Sequence, residues 1–364
     1  MPYTGKKESP PRRGGAWKEP RDRSPTMSRL GQLSRLVDLN PDWARVLPVP
    51  AISAVFNRGP EGARLRLLDL LVSKWTSQLK DVRRELRKEA GNSTAIQRIL
   101  RTQLADGTWA VEAPSEPAGA HKQMVLVGLL ERLYALAELG AQRGWPQVTL
   151  SIRAIVGFQL PDGRFPLLYH HHAAIGSLLI SFGLIRNPTV HKAAHWILER
   201  QRDDGGWLHP HMAGKGKSPP SCLWTTAEVM AFLARYPTMR IKPKLQTAGE
   251  FLLLNALEAN TTSLLPDAGA WNVLRTGSRG TQLFQGGTLK VLDSLSRAGF
   301  SPAHKTFKKL YRWLLEQQLS NGLFPGIVGR DGSGDTMVTV RVLELVQRVE
   351  SSRPVELAGH PPTD

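Results

Sequence analysis

The sequence predicts an all-α fold, an α/α toroid in which about five to six helical hairpins form an inner and an outer layer of helices. Three observations lead to this prediction. A turn containing glycine and an aromatic residue recurs along the chain, helical periodicity flanks most of these turns, and no segment shows a convincing strand alternation.

The repeated turn reads Gln, two residues, Asp or Asn, Gly, any residue, aromatic, and it occurs in four full copies. An Asp-Gly or Asn-Gly pair tolerates the left-handed conformation that ends a helix and reverses the chain. A fifth copy is degenerate, because it lacks the glutamine. The defining residues are Gln103, Gly107 and Trp109; Gln159, Gly163 and Phe165; Gln201, Gly205 and Trp207; Gly269 and Trp271; and Gln318, Gly322 and Phe324.

Helical segments precede and follow the turns. Residues 190–200 and 307–317 come before a turn, have apolar residues at three- and four-residue steps, and are charged on one side. The segments after the turns are more apolar: 124–139, 173–184, 223–233, 289–295 and 338–349. Since a lone helical hairpin cannot bury both faces, neighbouring hairpins must stack. We expect the preceding helices outside and the following ones inside, with 30–36 and 64–79 supplying a sixth pair.

Composition limits the function classes. The chain has 364 residues, 41% of them apolar, and one cysteine, Cys222, which excludes an intrachain disulfide. The net charge of +17 favours acidic partners, but it is spread along the chain without a nucleic-acid-binding motif, so we expect no nucleic acid partner. No apolar run has the length of a transmembrane helix. Peripheral contact with a membrane remains open, and the predicted location is cytoplasmic.

Three regions are predicted. Residues 1–26 are basic and Pro-rich, and such a segment cannot bury enough apolar surface to offset its ordering entropy. We therefore expect a disordered tail at 1–26, the toroid domain at 27–351 and a second disordered tail at 352–364.

The repeats resemble the Gln-Trp motifs of squalene and hopene cyclases and the helical repeats of protein prenyltransferase β-subunits. Shorter proteins annotated only by prenyltransferase and squalene-oxidase repeats have similar repeats. The resemblance spans residues 93–350 and supports membership of the terpenoid cyclase and protein prenyltransferase α/α-toroid superfamily. It implies that the repeat glutamines tie helix ends together and stack against the aromatic residues, which gives both a structural role.

The catalytic motif of the resembling cyclases is missing. Those enzymes protonate an alkene with the middle acid of an Asp-x-Asp-Asp motif, which this sequence lacks. The remaining weak candidates for an acid are Glu228, Asp335 and Asp267. Asp335 is also placed to cap a helix, and Glu228 lies one helical turn after Trp224, which places both on one face. We expect no cyclisation of squalene by the usual protonation route.

A metal site has only partial support. The zinc-binding prenyltransferases have an Asp two residues before their cysteine ligand, whereas Pro220 stands two residues before Cys222. A different zinc site would combine Cys222 with His209 or His211, and with His171 as a further ligand. Magnesium is the other cation considered, and neither metal is a firm prediction. Trp224, Phe284 and His171 are the predicted lining of a ligand cavity.

Three functions remain open from the sequence. The first is a toroid that binds a small lipophilic or prenyl ligand in its central cavity. The second is a divergent active terpene cyclase or prenyltransferase, and the third is a non-catalytic interaction scaffold. An open apolar cavity with one buried carboxyl group would favour an enzyme, whereas a filled ring would favour a scaffold.

Overall fold

The computed structural model describes residues 33, 35–111, 118–208, 221–236, 243–255, 271–276, 286–330 and 332–352. The predicted tails lie outside these residues, apart from residue 352. The described part contains a short 3-10 helix, Asp42–Val46, and isolated bridges but no β-strand. The α-helices are α1 (Ala51–Arg58), α2 (Glu61–Leu71), α3 (Ser77–Asn92), α4 (Thr94–Leu100), α5 (Ala118–Glu138), α6 (Pro146–Gly157), α7 (Tyr169–Ser181), α8 (Pro188–Leu198), α9 (Leu223–Leu233), α10 (Pro243–Asn255), α11 (Gly287–Arg297), α12 (Lys305–Leu315) and α13 (Thr336–Ser351).

The helices form two concentric layers. Each inner helix contacts the next, and the last contacts the first, in the order α2, α5, α7, α9, α11, α13 and back to α2. Outer helices α6, α8, α10 and α12 each pack on the inner helix that precedes them in the chain, and α8 also contacts the inner helix that follows it, α9. Helix α9 is buried along its whole length, as expected for an inner helix. The predicted all-α toroid is confirmed.

The sixth hairpin differs from the prediction. It consists of α1 and α2, and not of segments 30–36 and 64–79. Helix α2 ends at Leu71, and a new helix begins after Thr76, whose hydroxyl accepts a hydrogen bond from the Leu79 amide. Segment 64–79 is therefore divided between two helices, which are separated by the non-helical residues 72–76.

The repeat glycines are required by the backbone of the turns. Gly163 has a φ of 94°, in the left-handed region that favours glycine. A Cβ atom there would lie 2.6 Å from the carbonyl oxygen of Lys192, in outer helix α8. The described glycines of the other three full copies also have positive φ angles. The turn can therefore approach the neighbouring outer helix only without a side chain.

The repeat glutamines connect each turn to the next outer helix. The Gln159 amide donates to the carbonyl of Gly163 at 2.9 Å and to that of Thr189 at 2.8 Å. Gln201 binds the carbonyls of Gly205 and Lys244 in the same way. Each glutamine therefore fixes one hairpin against its neighbour.

Gln318 makes this connection across the point where the ring closes. Its amide donates to the carbonyls of Val49 at 2.8 Å and Gly322 at 3.0 Å, and its Oε1 accepts from the Val49 amide at 3.1 Å. Gln318→Ala is expected to lower the free energy of unfolding by about 1–3 kcal/mol, measured by urea denaturation. Gln317→Ala is the control, because the Gln317 amide donates to the carbonyl of Trp313, four residues earlier in the same hairpin. Equal effects would show that Gln318 does not close the ring.

Candidate functional site

The centre of the ring is charged. A small cavity of about 60 Å³ lies between the inner helices, with room for only a few water molecules. Its charged and hydroxyl-bearing lining consists of Arg66, Tyr134, Ser177, Glu228, Arg235, Thr276, Lys290, Asp293, Arg341 and Glu344. The described interior is thus an ion-pair network, whereas the sequence predicted a lipophilic cavity.

One side of this cavity holds a buried ion pair. Glu228 is 3% exposed and contacts the ammonium group of Lys290, which lies 5.6 Å from the centre of the Trp224 ring. Burial raises the pKa of Glu228, although Lys290 opposes the rise, and burial also lowers the pKa of Lys290. Trp224 and Glu228 therefore surround the same cation. The carboxyl group of Glu228 is committed to an ion pair.

The other side of the cavity is held by Arg341. Its guanidinium group donates to the hydroxyl of Tyr134 at 2.6 Å and pairs with Glu138 at 2.7 Å. It also contacts Thr276, which accepts a hydrogen bond from Tyr134 at 2.7 Å. Burial raises the pKa of Tyr134, so this phenol stays protonated at neutral pH. These contacts join α13, α5 and segment 271–276.

A wider opening lies at the C-terminal ends of the inner helices. We call it the mouth; it has a volume of about 750 Å³. Its lining consists of Arg66, Asp69, Leu70, Ile180, Ser181, Arg235, Arg297, Glu344, Gln347, Arg348, Ser351 and Ser352. Arg66, Arg235 and Glu344 line both the mouth and the central cavity. The mouth is therefore separated from the centre by charged side chains.

Asp293, in the lining of the central cavity, lies among three arginines that line the mouth. Its carboxylate lies 2.9 Å from Arg348, 3.0 Å from Arg297 and 3.7 Å from Arg235. Burial alone would raise the pKa of Asp293, but the three guanidinium groups hold it well below its usual range. One carboxylate cannot neutralise three cations.

The other charges of the mouth do not remove this excess. Arg66 is matched by Glu344 in a paired contact, and Asp69 pairs with Arg83. The C-terminal ends of the inner helices carry partial negative charge and offset part of the excess. The arginines around Asp293 therefore keep an excess of positive charge.

The three consecutive histidines are buried core residues. His172 accepts a hydrogen bond from the Phe165 amide at Nδ1, and its Nε2 lies 2.9 Å from the carbonyl oxygen of Ala193. Burial lowers the pKa of His172 to about 4, so the ring is neutral near neutral pH. His171 is buried but does not belong to the described lining of the central cavity. The ring of His170 lies against it at a tilt of 42°, with the ring centres 4.1 Å apart.

The other predicted site residues lie apart from the ring centre or outside the described residues. Asp335 caps α13, accepting from the amides of Met337 and Val338. Cys222 is buried at the start of α9, and its amide donates to the carbonyl of Trp207. The described residues contain no cluster of three metal-binding side chains. The zinc site stays a prediction, because His209 and His211 lie outside the described residues, as do Asp267, Gly269 and Phe284.

Apart from Glu228, the charges at the ring centre were missed from the sequence. Lys290 and Asp293 are three residues apart, and so are Arg341 and Glu344, so each pair lies on one helical face. Both pairs occur in segments that were assigned to the inner ring. Paired charges at this spacing in an inner helix were the available signal for a polar centre.

Comparisons with known proteins give similarities of helical architecture only. No protein-family model matches the chain, and no curated protein matches it. A polysaccharide lyase structure is 13% identical with a TM-score of 0.48, covering 82% of this chain and 90% of that one. The type II terpene cyclase MstE from Scytonema is 13% identical with a TM-score of 0.40, covering 79% of this chain and 86% of that one. A single-residue variant of MstE, in complex with its substrate geranylgeranyl dihydroxybenzoate, is 14% identical with a TM-score of 0.42, covering 80% and 86%. No activity follows from these similarities.

No helix in the described part of the chain has the length and apolar character needed to cross a bilayer.

Proposed function

We propose that the toroid binds a small amphiphilic anion, of the isoprenoid diphosphate class, in the mouth. The observation that supports this most is the surplus of guanidinium groups around Asp293. Arginine forms two parallel hydrogen bonds to phosphate oxygens, and this makes it the preferred side chain for such groups. Arg297 and Arg348 line the mouth directly and are the proposed ligands of the anion.

The lipophilic part of the ligand is assigned to the mouth and not to the ring centre. The mouth has a volume typical of small-molecule sites, and Leu70 and Ile180 supply apolar lining. The central cavity of about 60 Å³ is too small for a prenyl chain. In this proposal the chain lies along Leu70 and Ile180 while the anionic group rests on the arginines.

The residues at the ring centre favour ligand binding without cyclisation. A cyclase acid must give its proton to an alkene in a dry apolar cavity, and its site must hold the acid in the protonated form. Glu228 is the buried acid nearest to this description, but it is paired with Lys290. A second candidate function is a non-catalytic interaction scaffold, favoured by the closely filled, ion-paired centre.

The test is calorimetric titration with geranyl diphosphate, geraniol and inorganic diphosphate. We expect geranyl diphosphate to bind more tightly than either fragment, because it uses both the arginines and the apolar lining. Arg297→Gln and Arg348→Gln should each weaken binding by about tenfold or more, as for the loss of hydrogen bonds to a charged group.

Arg84→Gln is the control for that titration. Arg84 is exposed on α3 and pairs only with Asp81 among the contacts described, so its loss should leave affinity unchanged. Each variant is first compared with the parent protein by thermal unfolding. Equal affinity for geraniol and geranyl diphosphate, or no binding at all, would contradict the proposal and favour the scaffold.

A further inference from the structure

Outer helix α12 carries an uninterrupted stripe of positive charge. Four basic residues occupy positions i, i+3, i+4 and i+7, which lie on one helical face about 10 Å long. All four are exposed, and we call them the basic face: Lys305, Lys308, Lys309 and Arg312. The opposite side of the helix is buried through Phe307, Leu310, Tyr311 and Leu314. The packed apolar side fixes the orientation of the basic face.

The charges of this face are not compensated within the described part of the chain. None of its four residues forms an ion pair there. Like charges at i and i+4 destabilise a helix. Helix α3 is also rich in basic residues, but its exposed Lys80, Arg84 and Lys88 alternate with acids, and Arg84 pairs with Asp81. The absence of acidic residues within Lys305–Leu315 therefore distinguishes α12 from α3, which contains three.

An exposed apolar side chain lies on a neighbouring outer helix. Leu254, on α10, is 77% exposed, and α10 packs beside α12. A leucine gains free energy by entering the boundary between lipid headgroups and acyl chains, but gains little beside a hydrated phosphodiester backbone. This neighbour favours a lipid surface over a nucleic acid as the partner.

We propose that the basic face binds the anionic surface of a lipid bilayer, with Leu254 entering the headgroup region. The interaction is peripheral and mainly electrostatic, since the helix is already folded and its apolar side is already buried. It is therefore expected to weaken as salt shortens the screening length. The proposal is independent of the ligand assigned to the mouth, because the two surfaces share no residue.

The experiment is co-sedimentation of the full chain with phosphatidylcholine vesicles, with and without phosphatidylglycerol, at low and high salt. Binding is expected only with phosphatidylglycerol and to fall at high salt. Because each basic residue near an anionic surface raises partitioning about fivefold, K308Q with K309Q should lower it about 25-fold. Leu254→Ser should lower it by up to about tenfold.

The control is K80Q with K88Q on α3, which removes the same total charge and should change partitioning less than about twofold. Equal losses in the two double variants would mean that only net charge matters, and would overturn the assignment to α12. Absence of vesicle binding at low salt would also overturn it. Binding to a duplex DNA oligonucleotide without binding to vesicles would replace the lipid surface with a nucleic acid.

Discussion

Asp293→Asn is expected to lower the free energy of unfolding by about 3–5 kcal/mol, the usual result of removing one partner from a buried charge network. The substitution keeps the shape of the side chain but removes the carboxylate that Arg235, Arg297 and Arg348 share. Three guanidinium groups would then repel one another at the end of the inner ring. Urea denaturation monitored by circular dichroism measures the change.

The control for this variant is Asp69→Asn. Asp69 also lines the mouth and pairs with Arg83, but its side chain is 44% exposed, so its ion pair should contribute no more than about 1 kcal/mol. A small loss for Asp69→Asn beside a large one for Asp293→Asn would support the buried network. Similar losses in both variants would show that Asp293 is not the centre of the network.

Asp293 also makes the stability of the protein depend on pH. The pKa of Asp293 is lowered in the folded protein, so the unfolded chain binds the proton first as the pH falls. Its contribution is complete above the unfolded pKa of about 3.9 and is lost progressively at lower pH. The difference in stability between parent and Asp293→Asn should therefore narrow on acidification below about pH 4.

The repeats made the fold predictable, because one local pattern occurs many times. The glycine of each full copy adopts the left-handed conformation that the Asp-Gly or Asn-Gly pair indicated, and helices lie on both sides. Of the sixth hairpin, α1 was not predicted and α2 was predicted only as part of segment 64–79, because this hairpin precedes the first repeat turn and has no glycine-aromatic signature of its own. The break between α2 and α3 covers only residues 72–76, where apolar residues continue at Val72 and Trp75, so helical periodicity did not reveal it.

The centre of the ring was less predictable, because its properties depend on residues that are distant in sequence. Arg66 meets Glu344, which is 278 positions away, and Arg341 meets Tyr134, which is 207 positions away. In the sequence, Arg66, Arg341 and Glu344 are charged residues on helices, for which an exposed surface position is the ordinary interpretation. Only closure of the ring brings these charges together and turns a predicted apolar cavity into an ionic one.

The second large loss of stability is expected on substitution of a repeat aromatic residue, and Trp207 is the clearest case. Its ring is fully buried, its Nε1 donates to the carbonyl of Ile197 at 2.8 Å, and its backbone amide donates to the Thr226 hydroxyl at 3.0 Å. Trp207 thus joins the end of outer helix α8, through its side chain, to the start of inner helix α9, through its backbone amide. Removing it leaves a large cavity at the junction of the two layers.

Trp207→Ala is expected to lower the free energy of unfolding by about 3–5 kcal/mol, measured by urea denaturation. Trp207→Phe is the matched variant, because phenylalanine stands at this position in two other full copies of the repeat, as Phe165 and Phe324, both fully buried. It keeps most of the packing and loses the Nε1 hydrogen bond, so about 1–2 kcal/mol should be lost. Trp313→Ala, on the half-buried side of α12, should have a smaller effect than Trp207→Ala. An alanine variant as stable as the parent would mean that the turn aromatic does not hold the two layers together, and the structural role assigned to the repeat would be wrong.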